Sequence, residues 1–124
     1  MKKYITGDLL HYKICNAKYL IEVTNTSKHG YCFKGVKDNF NGVICDEFIE
    51  DIPLTPEILE KNGWKKDKDG YFNDSYHIRL CESSTNYAAY KVVNNSIVWL
   101  RAVENVSDLQ HLLFGLDISL KIEV

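Results

Sequence analysis

Eight side chains in the second half of the sequence could together hold a small ligand: Arg79, Ser83, Ser84, Thr85, Tyr87, Tyr90, Trp99 and Arg101. A guanidinium group binds phosphate through charge-assisted hydrogen bonds, and aromatic rings stack on flat or cationic groups. The hydroxyls of Ser83-Ser84-Thr85, followed by the Asn86 amide, add donors and acceptors. Taken together this is the chemistry of holding a phosphate and a base. Each residue alone also fits a solvated sheet face with ordinary cross-strand pairs.

Bond-making chemistry has no comparable signal. The sequence lacks Gly-x-Ser-x-Gly, a Walker loop, Gly-x-Gly-x-x-Gly, His-Glu-x-x-His and the EF-hand ligand pattern. His77 and His111 are the candidate bases for a small hydrolase, and neither has a patterned acid beside it. Three His/Cys pairs invite a zinc reading: His11/Cys15, His29/Cys32 and His77/Cys81. Zinc ligands must converge within about 2.0–2.3 Å of the ion. Residues four apart on a strand lie about 13 Å from each other, so the first and third pairs need a bend. Four cysteines without a Cys-x-x-Cys read as four reduced, mostly buried thiols. Asp67, Asp69, Asn73 and Asp74 read as turn chemistry rather than a calcium loop, because the bidentate Glu is missing. The expectation is no catalytic residue, no metal and no cofactor, hence not an enzyme.

The elements that would position these residues follow from local patterns. The 124 residues suffice for one domain, and the 45% hydrophobic content with 26% charged residues excludes a mostly disordered chain. The net charge of −2 argues against a protein that coats nucleic acid. No window approaches the roughly 20 apolar residues of a membrane span, and the N-terminus has no apolar signal region, so the expected setting is the cytoplasm, without a membrane partner. Up to residue 53 the sequence reads as five short strands, starting at Gly7, Tyr19, Tyr31, Val43 and Phe48 and separated by turn signals such as Asn41-Gly42. Such spacing fits a small barrel of the SH3-like kind.

Residues 54–124 read as a helix, an antiparallel sheet and a second helix. Thr55, Pro56 and Glu57 start the first helix and Gly63 ends it. The hairpin turns are Asp67-Lys68-Asp69-Gly70 and Asn94-Asn95-Ser96. Alternation places Ile97, Trp99, Arg101 and Val103 on one face. Ser107 and Gln110 read as a capping box, Leu109, Leu112, Leu113 and Leu116 as the buried stripe, and Gly115 as the helix stop. Ile118, Leu120, Ile122 and Val124 alternate as a terminal strand. The fold class is therefore α+β, with the two parts expected to pack as one unit.

Two stretches resemble a family. Ile52-Pro53-Leu54-Thr55-Pro56-Glu57-Ile58-Leu59-Glu60-Lys61-Asn62-Gly63-Trp64 is similar to the "PIPLT-x-E-x-L-x-K-x-GF" segment of short proteins from phages and mobile elements of gut bacteria. Val106 to Leu116, with Leu109-Gln110-His111-Leu112 and Phe114, is similar to their "YVHQLQNLYFALTGEEL" tail. Trp64 stands where those proteins have Phe, and Asp117-Ile118-Ser119 departs from their ending. The resemblance implies a phage or mobile-element accessory protein and no catalytic chemistry. With the binding side chains above, it implies a protein that blocks or sequesters a host component. That component would be a host defence protein or its nucleotide signal, and a homo-oligomer is compatible with it. The alternative is a nucleic-acid-binding SH3-like barrel module.

Overall fold

A computed structural model describes residues 4–28, 30–119 and 121–124. The chain divides into two compact units, Met1–Ile52 and Pro53–Val124. In the first, the strands are β1 (Leu9–Ile14), β2 (Ala17–Ser27), β3 (Gly30–Gly35), β4 (Asn41–Ile44) and β5 (Ile49–Asp51), with a 3-10 turn at Asp46–Phe48. They form one antiparallel sheet in the order β4-β3-β2-β1-β5. Its core is Leu10, Ile21, Val23, Tyr31, Phe33 and Ile44. β2 carries an irregularity between Val23 and Asn25, where its pairing with β3 shifts register. A shift of this kind bends a strand and increases its twist.

Two local devices hold this unit. Cys15 takes a positive φ of 53°, and with Asn16 it forms the two-residue link that pairs Ile14 with Ala17. Four rings close one end of the core: Tyr12 on Phe33 (5.5 Å between centroids), Phe33 on Phe40 (5.6 Å), Phe40 on Tyr19 (5.7 Å) and Tyr19 on Tyr12 (6.3 Å). Phe40 lies against Gly35, where a Cβ would meet its ring at 2.4 Å.

The second unit holds α1 (Pro56–Lys61), β6 (Lys65–Asp67), β7 (Gly70–Asn73), β8 (Ile78–Glu82), β9 (Tyr87–Val93), β10 (Ser96–Val103) and α2 (Val106–Gly115). The sheet is an antiparallel meander in the order β10-β9-β8-β7-β6. The fully buried residues of this unit include Leu59, Tyr71, Ile78, Leu80, Ala89, Val103 and Val106. α1 starts as the sequence implies, with Thr55 Oγ1 accepting from Ile58 N at 3.3 Å and Pro56 in the first turn. No helix among the described residues is long and apolar enough to cross a membrane.

Three expectations for this unit are corrected. The helix cap is Asn105 rather than Ser107, because the Asp108 carboxylate reaches back to accept from Glu104 N (3.0 Å) and Asn105 N (3.1 Å). Asp108 is a stronger acceptor than the Gln110 amide, so the box forms two residues earlier, and Ser107 is buried in the first turn. The left-handed residue that closes α2 is Asp117 (φ 60°), with Ile118 N bonding to Leu113 O at 2.9 Å, so Gly115 stays helical. The described residues after α2 form no strand. The Asn62 side chain takes the place of a strand partner there, donating to Glu123 O and accepting from Glu123 N, both at 2.7 Å. Leu120, part of the expected strand, lies outside the described residues.

Gly70 has a φ of +138°, and a Cβ there would sit 2.1 Å from the Leu80 carbonyl oxygen, whereas at Gly63 (φ +88°) a Cβ meets nothing. Gly70→Ala is expected to destabilise the second unit by at least about 2 kcal/mol, and Gly63→Ala by about 1 kcal/mol. Urea unfolding followed by tryptophan fluorescence checks the order, since both tryptophans lie in this unit.

Candidate functional site

Directly opposed residues in antiparallel strands share a face, so the register fixes which side chains meet. Lys65 pairs with Phe72, Phe72 with Arg79, Arg79 with Tyr90, and Tyr90 with Trp99. These five residues form one row across the whole sheet. The adjacent inner row, Lys66, Tyr71, Leu80, Ala89 and Arg101, points to the opposite face. Tyr71, Leu80 and Ala89 in that row are fully buried, so the face with Tyr90 and Trp99 is the outer one.

The row is aromatic at one end and charged at the other. Trp99 is 59% exposed, and Ile97 on the same face is 63% exposed. Tyr90 and Phe72 are half-buried. The Arg79 guanidinium lies over the Phe72 ring, 5.1 Å from its centroid. Arg79 Nη1 donates to both Asp67 oxygens, at 2.9 and 2.8 Å. This pairing holds the Asp67 carboxyl below its ordinary range, helped by the hydrogen bond from Asp69 N. Arg79 therefore presents a held cationic plane rather than a free phosphate fork. Lys65 is exposed and brings a second positive charge to the row.

The structure separates the eight residues named from the sequence. Arg79, Tyr90 and Trp99 come together in the outer row. Arg101 does not join them, because a bulge at Leu100 shifts the register between Trp99 and Arg101 and turns Arg101 to the opposite face. There its Nη2 lies 3.6 Å from Asp108 Oδ1, which gives it a structural role beside the helix cap. Tyr87 is also on the inner face, packed edge-on against Tyr71 at 6.2 Å, and burial pushes its phenol pKa up. The loop residues stand apart from the row. Ser83 Oγ donates to Asn86 O (3.0 Å) and Asn86 Oδ1 (2.8 Å), closing its own turn. Ser83, Thr85 and Tyr87 line a cleft of about 280 Å³ with Leu54, Pro56, Asn86, Glu82 and Glu104. Two carboxylates and no cation make this cleft a poor phosphate site. Ser84 is exposed on the same loop.

Lys65 and Phe72 are the members of the row that the sequence reading missed. Counting outward from the Lys68-Asp69 turn places them opposite each other, so the signal was present in the hairpin.

The metal candidates do not assemble. Among the described residues no three His, Cys, Asp or Glu side chains converge as a cation site. His29 lies outside them. Cys15 sits at the tip of its turn, and His77 (φ 55°) lies in the turn before β8, so neither is a strand neighbour of its partner. The thiols are free but not buried as expected: Cys15 and Cys45 fall in turns or at strand ends and are exposed, and Cys32 and Cys81 are half-buried. His11 is partly buried, which lowers its pKa, with Lys18 adding to the effect.

No family model, curated protein or solved structure matches this chain.

The Arg79–Asp67 pair gives a titration signature. Asp67 has a depressed pKa when folded, so its contribution to stability is present above the unfolded carboxylate value and is lost as pH falls through the folded one. In a carboxyl NMR titration, Asp67 should have a midpoint below the usual carboxylate range, and Arg79→Gln should raise it toward that range.

Proposed function

We propose that this is a non-enzymatic binding protein whose second unit holds a nucleotide-class ligand by stacking on the outer row. The row of Trp99, Tyr90, Arg79, Phe72 and Lys65 is the observation that carries this reading. Bases stack on exposed aromatic and guanidinium planes, at about 1–3 kcal/mol per base. A mononucleotide would engage Trp99, Tyr90 and Arg79. Four strand spacings separate Trp99 from Lys65, about 19 Å, so a ligand touching both carries more than one nucleotide. Joined to the resemblance to phage and mobile-element proteins, this supports a role in sequestering a host nucleotide signal, in the cytoplasm of the host. No cofactor enters this reading.

A second reading rests on the first unit. Its strand order, the bend in β2 and the 3-10 turn before β5 are what an SH3-like barrel would require. Such barrels can serve as nucleic-acid modules, by analogy of fold alone. Binding of DNA or RNA that weakens steeply with salt would favour this reading over the first.

Trp99 is exposed and Trp64 is 2% exposed, so a fluorescence change on adding ligand reports Trp99. Titration with mononucleotides and cyclic oligonucleotides is expected to give saturable quenching. Tyr90→Ala should weaken binding about tenfold or more, and Trp99→Phe, followed by equilibrium dialysis because it lacks the reporter, should keep binding. Chromatography should recover the ligand unchanged. Turnover would reject sequestration, and the absence of saturable quenching by every nucleotide would reject the site.

A further inference from the structure

We infer that a second copy of this chain pairs with the open edge of β10, antiparallel, about a two-fold axis at Val98. The inference does not depend on the nucleotide reading.

β10 is the edge of its sheet. Beyond its end, Leu54 N bonds to Glu104 O at 3.1 Å and Pro53 bridges to Asn105, so the chain itself covers that part of the edge line. Among the described residues no strand pairs with the outer edge of Ile97-Val98-Trp99. These side chains are 63%, 49% and 59% exposed. Natural edge strands are usually protected by charge, proline or a bulge. Here the residues from Val92 to Leu100 include no charged residue and no proline, although 26% of the chain is charged. The bulge lies at the far end, after Trp99.

The backbone admits this register. Val92 N donates to His77 O at 2.8 Å, so Val92 turns its polar groups toward β8. Its β10 partner Ile97 therefore turns its own N–H and C=O away from β9, to the open edge. Trp99, two residues on, does the same. Val98 faces β9 instead. A copy related by a two-fold axis at Val98 sets Ile97 opposite Trp99 of the other copy, and Trp99 opposite its Ile97. Both members of each pair then point at each other, and each pair exchanges two backbone hydrogen bonds. Val98 meets Val98 across the axis as a non-hydrogen-bonded pair, the closer kind.

The side chains agree with the same register. Trp99 covers Ile97 of the other copy on the outer face, and the two valines cover each other on the inner face. Every exposed apolar residue of the stretch thus gains an apolar neighbour. Any antiparallel two-fold axis centred on a residue of β10 keeps edge-facing residues opposite one another, and the apolar pairing singles out Val98 among these positions. A symmetric contact of this kind is closed and stops at two copies.

Sedimentation of the full chain across the micromolar range is expected to give twice the monomer mass. Val98→Lys places two like charges at the axis and should weaken association at least about a hundredfold. Circular dichroism should show that the variant keeps its fold, and Ile97→Lys serves if it does not. Mixing Ile97→Lys with Trp99→Glu tests the register, because this axis sets those two positions opposite each other. The mixture should form a heterodimer in preference to either homodimer. A wild-type monomer at the highest concentration, a Val98→Lys variant that folds and still dimerises normally, or a mixture with no preference for the heterodimer would each overturn the inference.

Discussion

The two-residue period of antiparallel pairing, interrupted once at Leu100, is the constraint on which the arrangement of the second unit depends. Uninterrupted alternation would put Trp99, Arg101 and Val103 together. The extra residue reverses the pattern, so Trp99 shares a face with Tyr90 while Arg101 and Val103 share the other. The reversal serves both faces. It brings Val103 into the core, where it is fully buried, and leaves Trp99 outside. It also brings Arg101 to the start of α2, beside Asp108, whose other oxygen accepts the two backbone N–H groups ahead of the helix.

The sequence disclosed what local chemistry controls and concealed what register and competition control. Thr55-Pro56-Glu57 has few alternatives as a helix start, and α1 begins there. Lys68-Asp69 before Gly70 fixes its hairpin because only Gly tolerates a backbone so close to the Leu80 carbonyl. Asn16 is a turn former, but the left-handed residue of the link is Cys15, which carries no turn signal of its own, and the pairing of β1 with β2 places it there. Ser107 lost to Asn105 because a carboxylate three residues further on rewards the earlier start. The alternation at the C-terminus was real, but Asn62 offers the backbone there a side-chain partner instead of a strand. For the site, residue type pointed to Arg79, Tyr90 and Trp99. Type alone could not exclude Tyr87 and Arg101, because one unpaired residue decides their face.

Charge contributes little that could act at long range. Arg79 is engaged by Asp67, Arg101 faces Asp108, Lys13 and Lys18 share Glu50, and Lys34 faces Glu22. Exposed pairs of this kind contribute little to stability, because solvent screens them. Their larger effect is to cancel fields that would steer a polyanion, in keeping with the net charge of −2. A contact made by this surface would then rest on stacking and on backbone complementarity, both of which depend weakly on salt.

The outer face shows where such contact is concentrated. A sheet with one solvated face ordinarily carries polar residues on that face. At the β6 end this holds, with Lys65, Asp67 and Arg79. Toward β10 the same face turns to Tyr90, Val92, Ile97 and Trp99. Single exposed apolar residues are common and need no explanation, but a contiguous group at a sheet edge is not accounted for by folding, which would be served as well by Thr or Lys. Ile97 and Trp99 lie at the meeting of that face with the open backbone of β10, so side-chain and main-chain groups are both unsatisfied at one place. A partner that satisfies only one of the two leaves the other in water, and this favours a partner that is itself an extended strand with apolar side chains. The chain supplies such a strand in β10 itself, and Tyr90 and Arg79 lie inward of that edge on the same outer face.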